Sequence, residues 1–170
     1  LRQNNTKIHM SHIGILGWTL TEDTVLEGDV CLVGEELDLN GHMLKISGNF
    51  YVASGDVKIN GGTLDVGGDL LYRSLIYNES GSIRSYDYST GTLTMTKSED
   101  MVLVGGNFEM YSIQDMRGKL TDGIIEIKGN FRQYYSNNNY YGYPADGNHK
   151  TIFSGTKKQT IYFSNYTYSY

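Results

Sequence analysis

What this chain lacks narrows it first. Among 170 residues there is one proline, one cysteine and one tryptophan. So little proline, beside 21 glycines, excludes a proline-rich linker and a collagen-like chain. The lone Cys31 cannot close an intrachain disulfide, so the chain is no disulfide scaffold and cysteine does not mark its compartment. Within Val30-Cys31-Leu32-Val33 it reads as a small buried hydrophobe. No apolar run approaches the roughly 18 residues that span a bilayer, so membrane insertion is not expected. Cationic excess is missing as well. A formal charge of −5 argues against nucleic acid as a partner.

Catalytic signatures are equally scarce. There is no nucleophile elbow, phosphate loop or zinc spacing, and Gly155-Thr156-Lys157-Lys158 lacks the upstream glycine of a phosphate loop. His9 and His12 stand three apart in a segment of undefined structure, while His42 and His149 are distant in sequence; all four read as surface histidines. The chain is therefore expected to be no enzyme and to need no metal or cofactor. Glu22-Asp23, Glu35-Glu36 and Glu99-Asp100 read as solvated turns.

What is there is a repeat. A β-type apolar pair, a glycine, Asn or Asp, and an apolar residue recur as Leu44 to Phe50, Leu64 to Leu70, Val102 to Phe108 and Ile125 to Phe131. A weaker copy runs from Thr24 to Val30, and a degraded one from Ile161 to Tyr166. Such a fixed period marks a stack of units that bury their apolar faces only against neighbours. Within one unit, Leu37–Leu39, Met43–Ile46 and Asn49–Val52 form three short strands, and Val57–Ile59, Thr63–Val66 and Asp69–Tyr72 repeat them. The expected fold is all-β: a parallel, right-handed, three-sided β-solenoid of about six rungs. Asn40-Gly41 and Asn60-Gly61 also suit hairpins, so an antiparallel β-sandwich is the alternative. Residues 21–170 form the repeat domain, and residues 1–20, with Trp18, a cap or preceding rung.

Charges agree with parallel stacking, because equivalent residues on neighbouring strands lie close together and like charges there repel. The expected outward pairs are Asp38 with Lys58, Lys45 with Asp65, and Glu109 with Arg132. After each glycine comes a corner position occupied by Asp29, Asn49, Asp69, Asn107, Asn130 and Asn165. Stacked side chains there can bond along the stack and satisfy backbone groups left open by the turn. A calcium site at these corners would need a nonapeptide spacing that the sequence does not have.

From Leu37 through Phe131, and again at Gly147-Asn148-His149-Lys150 and Ser154 to Thr160, the chain resembles a repeat module of very large secreted or surface proteins of Gram-positive bacteria. The Gly-Asn-Phe elements carry the resemblance. It implies an extracellular, bacterial cell-surface setting and no established chemistry. A chain that opens at Leu1 without a leader reads as a module excised from something longer.

The period breaks at residues 71–91, 111–118 and 133–150, each time after the third strand of a unit. These insertions are expected along one corner, where repeat proteins often carry their binding face. Tyrosine follows them. Eleven of the 15 lie on third strands or in the insertions, including Tyr51, Tyr77 and Tyr143, and the other four in the last rung. Arg73, Arg84, Arg117 and Arg132 share that flank. Rigid aromatic rings beside adaptable polar groups suit ligand contact, and tyrosine faces stack on sugar rings. The candidate ligand-binding residues are Tyr72, Arg73, Tyr86, Tyr88, Tyr111, Arg132, Tyr134, Tyr135, Tyr140 and Tyr141. Glu79, Asp87, Glu109 and Asp115 accompany them without a motif that fixes a carboxylate pair. Two functions follow: a non-catalytic structural or adhesion module, and a carbohydrate-binding module using the tyrosine flank. The expected partners are a glycan or neighbouring repeat modules.

Overall fold

The computed structural model describes residues 13–134 and 142–164. They form strands, turns and loops without a helix. After β1 (Ile13–Ile15) the chain makes one pass through β2 (Trp18–Thr19), β3 (Thr24–Leu26) and β4 (Val30–Leu32). The next pass is β5 (Glu36–Asp38), β6 (Met43–Ile46) and β7 (Phe50–Val52), and the next β8 (Asp56–Lys58), β9 (Thr63–Val66) and β10 (Leu70–Tyr77). A return strand, β11 (Ile83–Tyr88), precedes β12 (Thr92–Thr94), β13 (Met101–Val104) and β14 (Phe108–Met110). Then come β15 (Ile124–Ile127), β16 (Phe131–Gln133), β17 (Lys150–Phe153) and β18 (Ile161–Phe163).

Each pass contributes to the same three sheets. The first sheet orders as β2-β5-β8-β12 and the second as β3-β6-β9-β13-β15-β17. The third runs β1-β4-β7-β10-β14-β16-β18, with β11 attached to β10. Single bridges carry the first sheet's line onward from Met95 to Leu120 and from Leu120 to Ala145. Among the described strands pairing is parallel, save for β10 with β11. The segment before residue 21 joins in the same manner, β1 on β4 and β2 on β5.

Two Asn-Gly pairs show why the sandwich signal misleads. Asn40 and Asn60 both take φ 49°, and Gly41 and Gly61 take 82° and 83°. Each pair closes a tight turn, with His42 N–H donating to Leu39 O and Gly62 N–H to Ile59 O, both at 2.8 Å. Paired positive φ is the hairpin geometry. Here, however, it bends the chain from a first-sheet strand into a second-sheet strand.

Parallel register places like on like. Ile46, Val66, Val104, Ile127 and Phe153 are successive partners in the second sheet, and Val30, Phe50, Leu70, Phe108 and Phe131 in the third. The inward positions that strand alternation selects, Leu39, Leu44, Ile46, Phe50, Ile59, Leu64, Val66, Leu70, Val102, Val104, Phe108, Ile125, Ile127 and Phe131, are buried, and Leu37, Val57, Tyr72, Leu93, Met95, Met110, Met116 and Leu120 join them. Fully burying such a side chain is worth about 1.5–3 kcal/mol.

The corner ladder forms as its stacking requires. Asp29 Oδ1 accepts Asn49 N–H at 2.8 Å, Asn49 Oδ1 accepts Asp69 N–H at 2.8 Å, and Asp69 Oδ1 accepts Asn107 N–H at 2.6 Å. Asn107 Oδ1 then accepts Asn130 N–H at 2.9 Å, and Asn130 Oδ1 accepts Thr160 N–H at 2.8 Å. The preceding glycine is forced by this contact. A Cβ on Gly68 would meet Asn49 Oδ1 and the Gly48 carbonyl of the pass beneath.

Three expectations need correction. Ile161–Phe163 pairs with Phe131–Gln133 and is therefore a third-sheet strand, while Lys150–Phe153 fills the second-sheet place. Thr160, not Asn165, takes the corner there, and Asn165 lies outside the described residues. Gln159 supports this last corner by donating from Nε2 to the Ile127 and Gly129 carbonyls while its Oε1 accepts Gly155 N–H. Asp38 and Lys58 are register partners, but Lys58 reaches Glu36 instead, because Asp38 already receives Asn40 N–H and Asn60 Nδ2. Asp100 is no solvated acid: it is 1% exposed and accepts backbone N–H groups from Gly61, Thr96 and Lys97. Lys45 does meet Asp65, at 3.5 Å, and Arg132 meets Glu109 at 3.9 Å.

Candidate functional site

The tyrosine flank grows from the third sheet. One register column on this sheet runs Cys31, Tyr51, Leu71, Glu109, Arg132 and Tyr162. Beyond the paired part of β10 the chain continues outward as Arg73 to Tyr77 and returns as β11, with Arg73 opposite Tyr88 and Leu75 opposite Tyr86. Asn78 Oδ1 closes the hairpin by accepting Ser80 and Ser82 N–H groups. Cys31, Tyr51 and Ala53 pack with Leu71 and Leu75, which gives the cysteine its apolar surroundings. Burial pushes the Cys31 thiol up to about 11, a state poor in reactive thiolate.

Arg73 organises the rest. Its guanidinium lies 5.3 Å from the Tyr86 ring centroid and 5.6 Å from those of Tyr111 and Tyr134, and it forms an ion pair with Glu109. Tyr88 stacks on Tyr111 at 4.0 Å, and Tyr134 meets Tyr111 edge-on at 5.0 Å. Tyr162 follows at 6.3 Å from Tyr134, and Tyr86 lies parallel to Tyr51 at 6.5 Å. Arg73, Tyr86, Tyr88, Tyr111, Arg132 and Tyr134 are thus gathered on one flank. Arg73 Nε is buried within it and has no hydrogen-bond partner among the described residues.

Tyr72 is not part of this group. It is fully buried, beside Phe108, and its hydroxyl donates to Thr92 O at 3.3 Å. Strand alternation is the reason: Leu70 and Tyr72 face the core, so Arg73 faces outward. Tyr143, also expected on the flank, packs in the core at 4.8 Å from Phe131. Tyr135, Tyr140 and Tyr141 lie outside the described residues, as do His9 and His12.

Two of the flank acids are engaged by arginine. Glu109 holds Arg73 and Arg132, while Asp115 takes a bidentate contact from Arg117 that holds its carboxyl below the ordinary value. Among the described residues no group of three or more His, Cys, Asp or Glu side chains could hold a metal ion. A depression of about 540 Å³ is lined in part by Ser98, Asp122, His149 and Lys150. Burial lowers the His149 pKa; its Nδ1 lies 3.0 Å from Asp122 O and its Nε2 has no partner among the described residues. Sequence reading missed Asp100, Ser89, Ser112 and Gln133 as buried polar groups, and His149 as a half-buried one. A local signal existed at insertion edges: Ser89 falls just before the first insertion rejoins the repeat, and Ser112 and Gln133 fall where the later insertions begin.

Two expectations follow for this flank. Arg73→Met keeps the stem but removes the ion pair and three ring contacts, and should cost about 1–3 kcal/mol in urea unfolding. A cost near zero would mean that the cluster is not cohesive.

The second concerns alkali. A hydrogen bond with Tyr88 raises Tyr111 to about 12, and burial raises Tyr51 to about 12, from an ordinary 10.0. Burial raises Tyr72 and Tyr143 as well. Between 10 and about 12 the unfolded chain loses phenolic protons that the folded chain retains, so stability falls as pH rises through that window. Phenolate absorbance and circular dichroism should therefore change together for these rings. Their titration near 10 with an unchanged fold would contradict this packing.

No family model, curated protein or solved structure matches this chain.

Proposed function

We propose that the chain is a non-catalytic structural or adhesion module of a bacterial secreted or cell-surface protein, built as a right-handed, three-sided β-solenoid. The observation that carries this reading is where its polar and aromatic groups are spent. Corner carboxylates and amides bind the next pass, and flank tyrosines contact one another and Arg73. The repeated sheet order supports the solenoid form, since each pass rests on its neighbours through backbone and corner bonds. The resemblance of the Gly-Asn-Phe elements supports the surface setting.

A carbohydrate-binding reading is favoured by one observation: Tyr86 and Tyr162 keep 45% and 48% exposure beside Arg73 and Arg132. Screening the protein against immobilised cell-wall, host and plant glycans separates the two. The structural reading expects no retention above background. Specific retention that disappears in both Tyr86→Ala and Tyr162→Ala would replace it with the carbohydrate reading.

A further inference from the structure

Two Asn-Gly pairs stand one pass apart at the same corner, with the same backbone and different surroundings. Glycine has no Cβ to shield its nitrogen, so that nitrogen can approach the preceding asparagine's side-chain amide. Attack of the glycine nitrogen on Asn Cγ forms an N–C bond and closes a five-membered succinimide. The Cγ–Nδ2 bond breaks, and ammonia leaves carrying the proton from the glycine nitrogen. Water then opens either imide carbonyl, giving aspartate or isoaspartate. The net exchange is one side-chain nitrogen, lost as ammonia, for one oxygen from water.

At Asn60-Gly61 every reacting group is tied down. Asn60 Nδ2 donates to both Asp38 oxygens, at 3.0 and 3.2 Å, and its Oδ1 accepts Lys97 Nζ at 2.6 Å. Gly61 N–H, the nucleophile, donates to the buried Asp100 carboxylate at 2.5 Å. Closing the ring means giving up hydrogen bonds to charged groups, which are among the stronger ones.

Asn40-Gly41 has almost none of this. Both residues are exposed, and among the described residues Asn40 Nδ2 has a single neutral contact, Leu20 O at 3.2 Å. Gly41 N–H has no partner among the described residues, and the space where its Cβ would stand is empty to 4 Å. We propose that Asn40 is a site of spontaneous deamidation in the folded protein and that Asn60 is protected from it. The product places a second carboxylate beside Asp38, whose Oδ1 accepts Asn40 N–H at 2.8 Å, and removes the donor to Leu20 O. In the isoaspartate form an extra methylene enters the main chain one residue past buried Leu39.

The test is a time course of the intact chain in warm, mildly alkaline buffer, followed by peptide mapping and isoaspartate detection. Position 40 should convert about tenfold faster than position 60, or more. In urea, where the contacts are gone, the two should convert at similar rates. Asp38→Ala should speed conversion at 60 in the folded chain. Should that variant unfold, the folded-against-urea comparison of the wild type decides alone. Equal rates in the folded protein, or faster conversion at Asn60, would overturn the proposal.

Discussion

Gly106→Ala should destabilise the protein by about 3 kcal/mol or more. A Cβ there would fall on Asp69 Oδ1 and lie within 3.0 Å of the Gly68 backbone. Neither can retreat. Asp69 Oδ1 is the acceptor for Asn107 N–H, and Gly68 O accepts Gly106 N–H at 2.8 Å. The new methyl group would push the two passes apart at this corner. Urea denaturation measures the loss, with Gly14→Ala as the control. Gly14 lies in β1 without a positive φ, and among the described residues nothing stands within 4 Å of its absent Cβ. That change should stay within about 0.5 kcal/mol of wild type. Equal effects at both positions would show that glycine is not demanded by contact between passes.

Asp100→Ala should cost about 2–4 kcal/mol. The carboxylate is buried and serves three donors, Gly61 N–H at 2.5 Å, Thr96 N–H at 2.7 Å and Lys97 N–H at 3.0 Å. Alanine supplies no acceptor, so groups on two successive passes lose their partner together. Asp100→Asn retains one acceptor oxygen and should recover part of the loss. Thermal and urea unfolding of the two variants provide the comparison, and an alanine variant as stable as wild type would rule out the clamp.

These two residues also show what sequence alone reveals. Gly106 was legible, because contact between passes demands the same small residue at the corners from Gly48 to Gly129 and so leaves a visible spacing. The charge pairs Lys45–Asp65 and Glu109–Arg132 were legible for the same reason, since register repeats with the period. Asp100 was not. Its neighbours Lys97, Ser98 and Glu99 make a polar run, and the partner that fixes it inside, Gly61, lies 39 residues away. Tyr72 failed differently: alternation along β10 turned it inward, while composition grouped it with the flank. On the flank itself, sequence located the aromatic and basic residues but could not reveal that Arg73 is shared among three rings and Glu109. At the C-terminal end the corner motif had been replaced by Gly155, Gln159 and Thr160, so counting from the older pattern slipped by one sheet.

The order of residues in the corner ladder bears on how such a chain can change length. Excising residues 49–68 would join Gly48 to Asp69 and set Asp69 directly upon Asp29, carboxylate on carboxylate. Excising residues 107–129 would join Gly106 to Asn130, and Asn130 would inherit the acceptor that Asn107 uses now, Asp69 Oδ1. Structurally equivalent passes are therefore unequal as units of gain or loss. At this corner, the alternation of acid and amide decides which segment can be dropped without an electrostatic conflict.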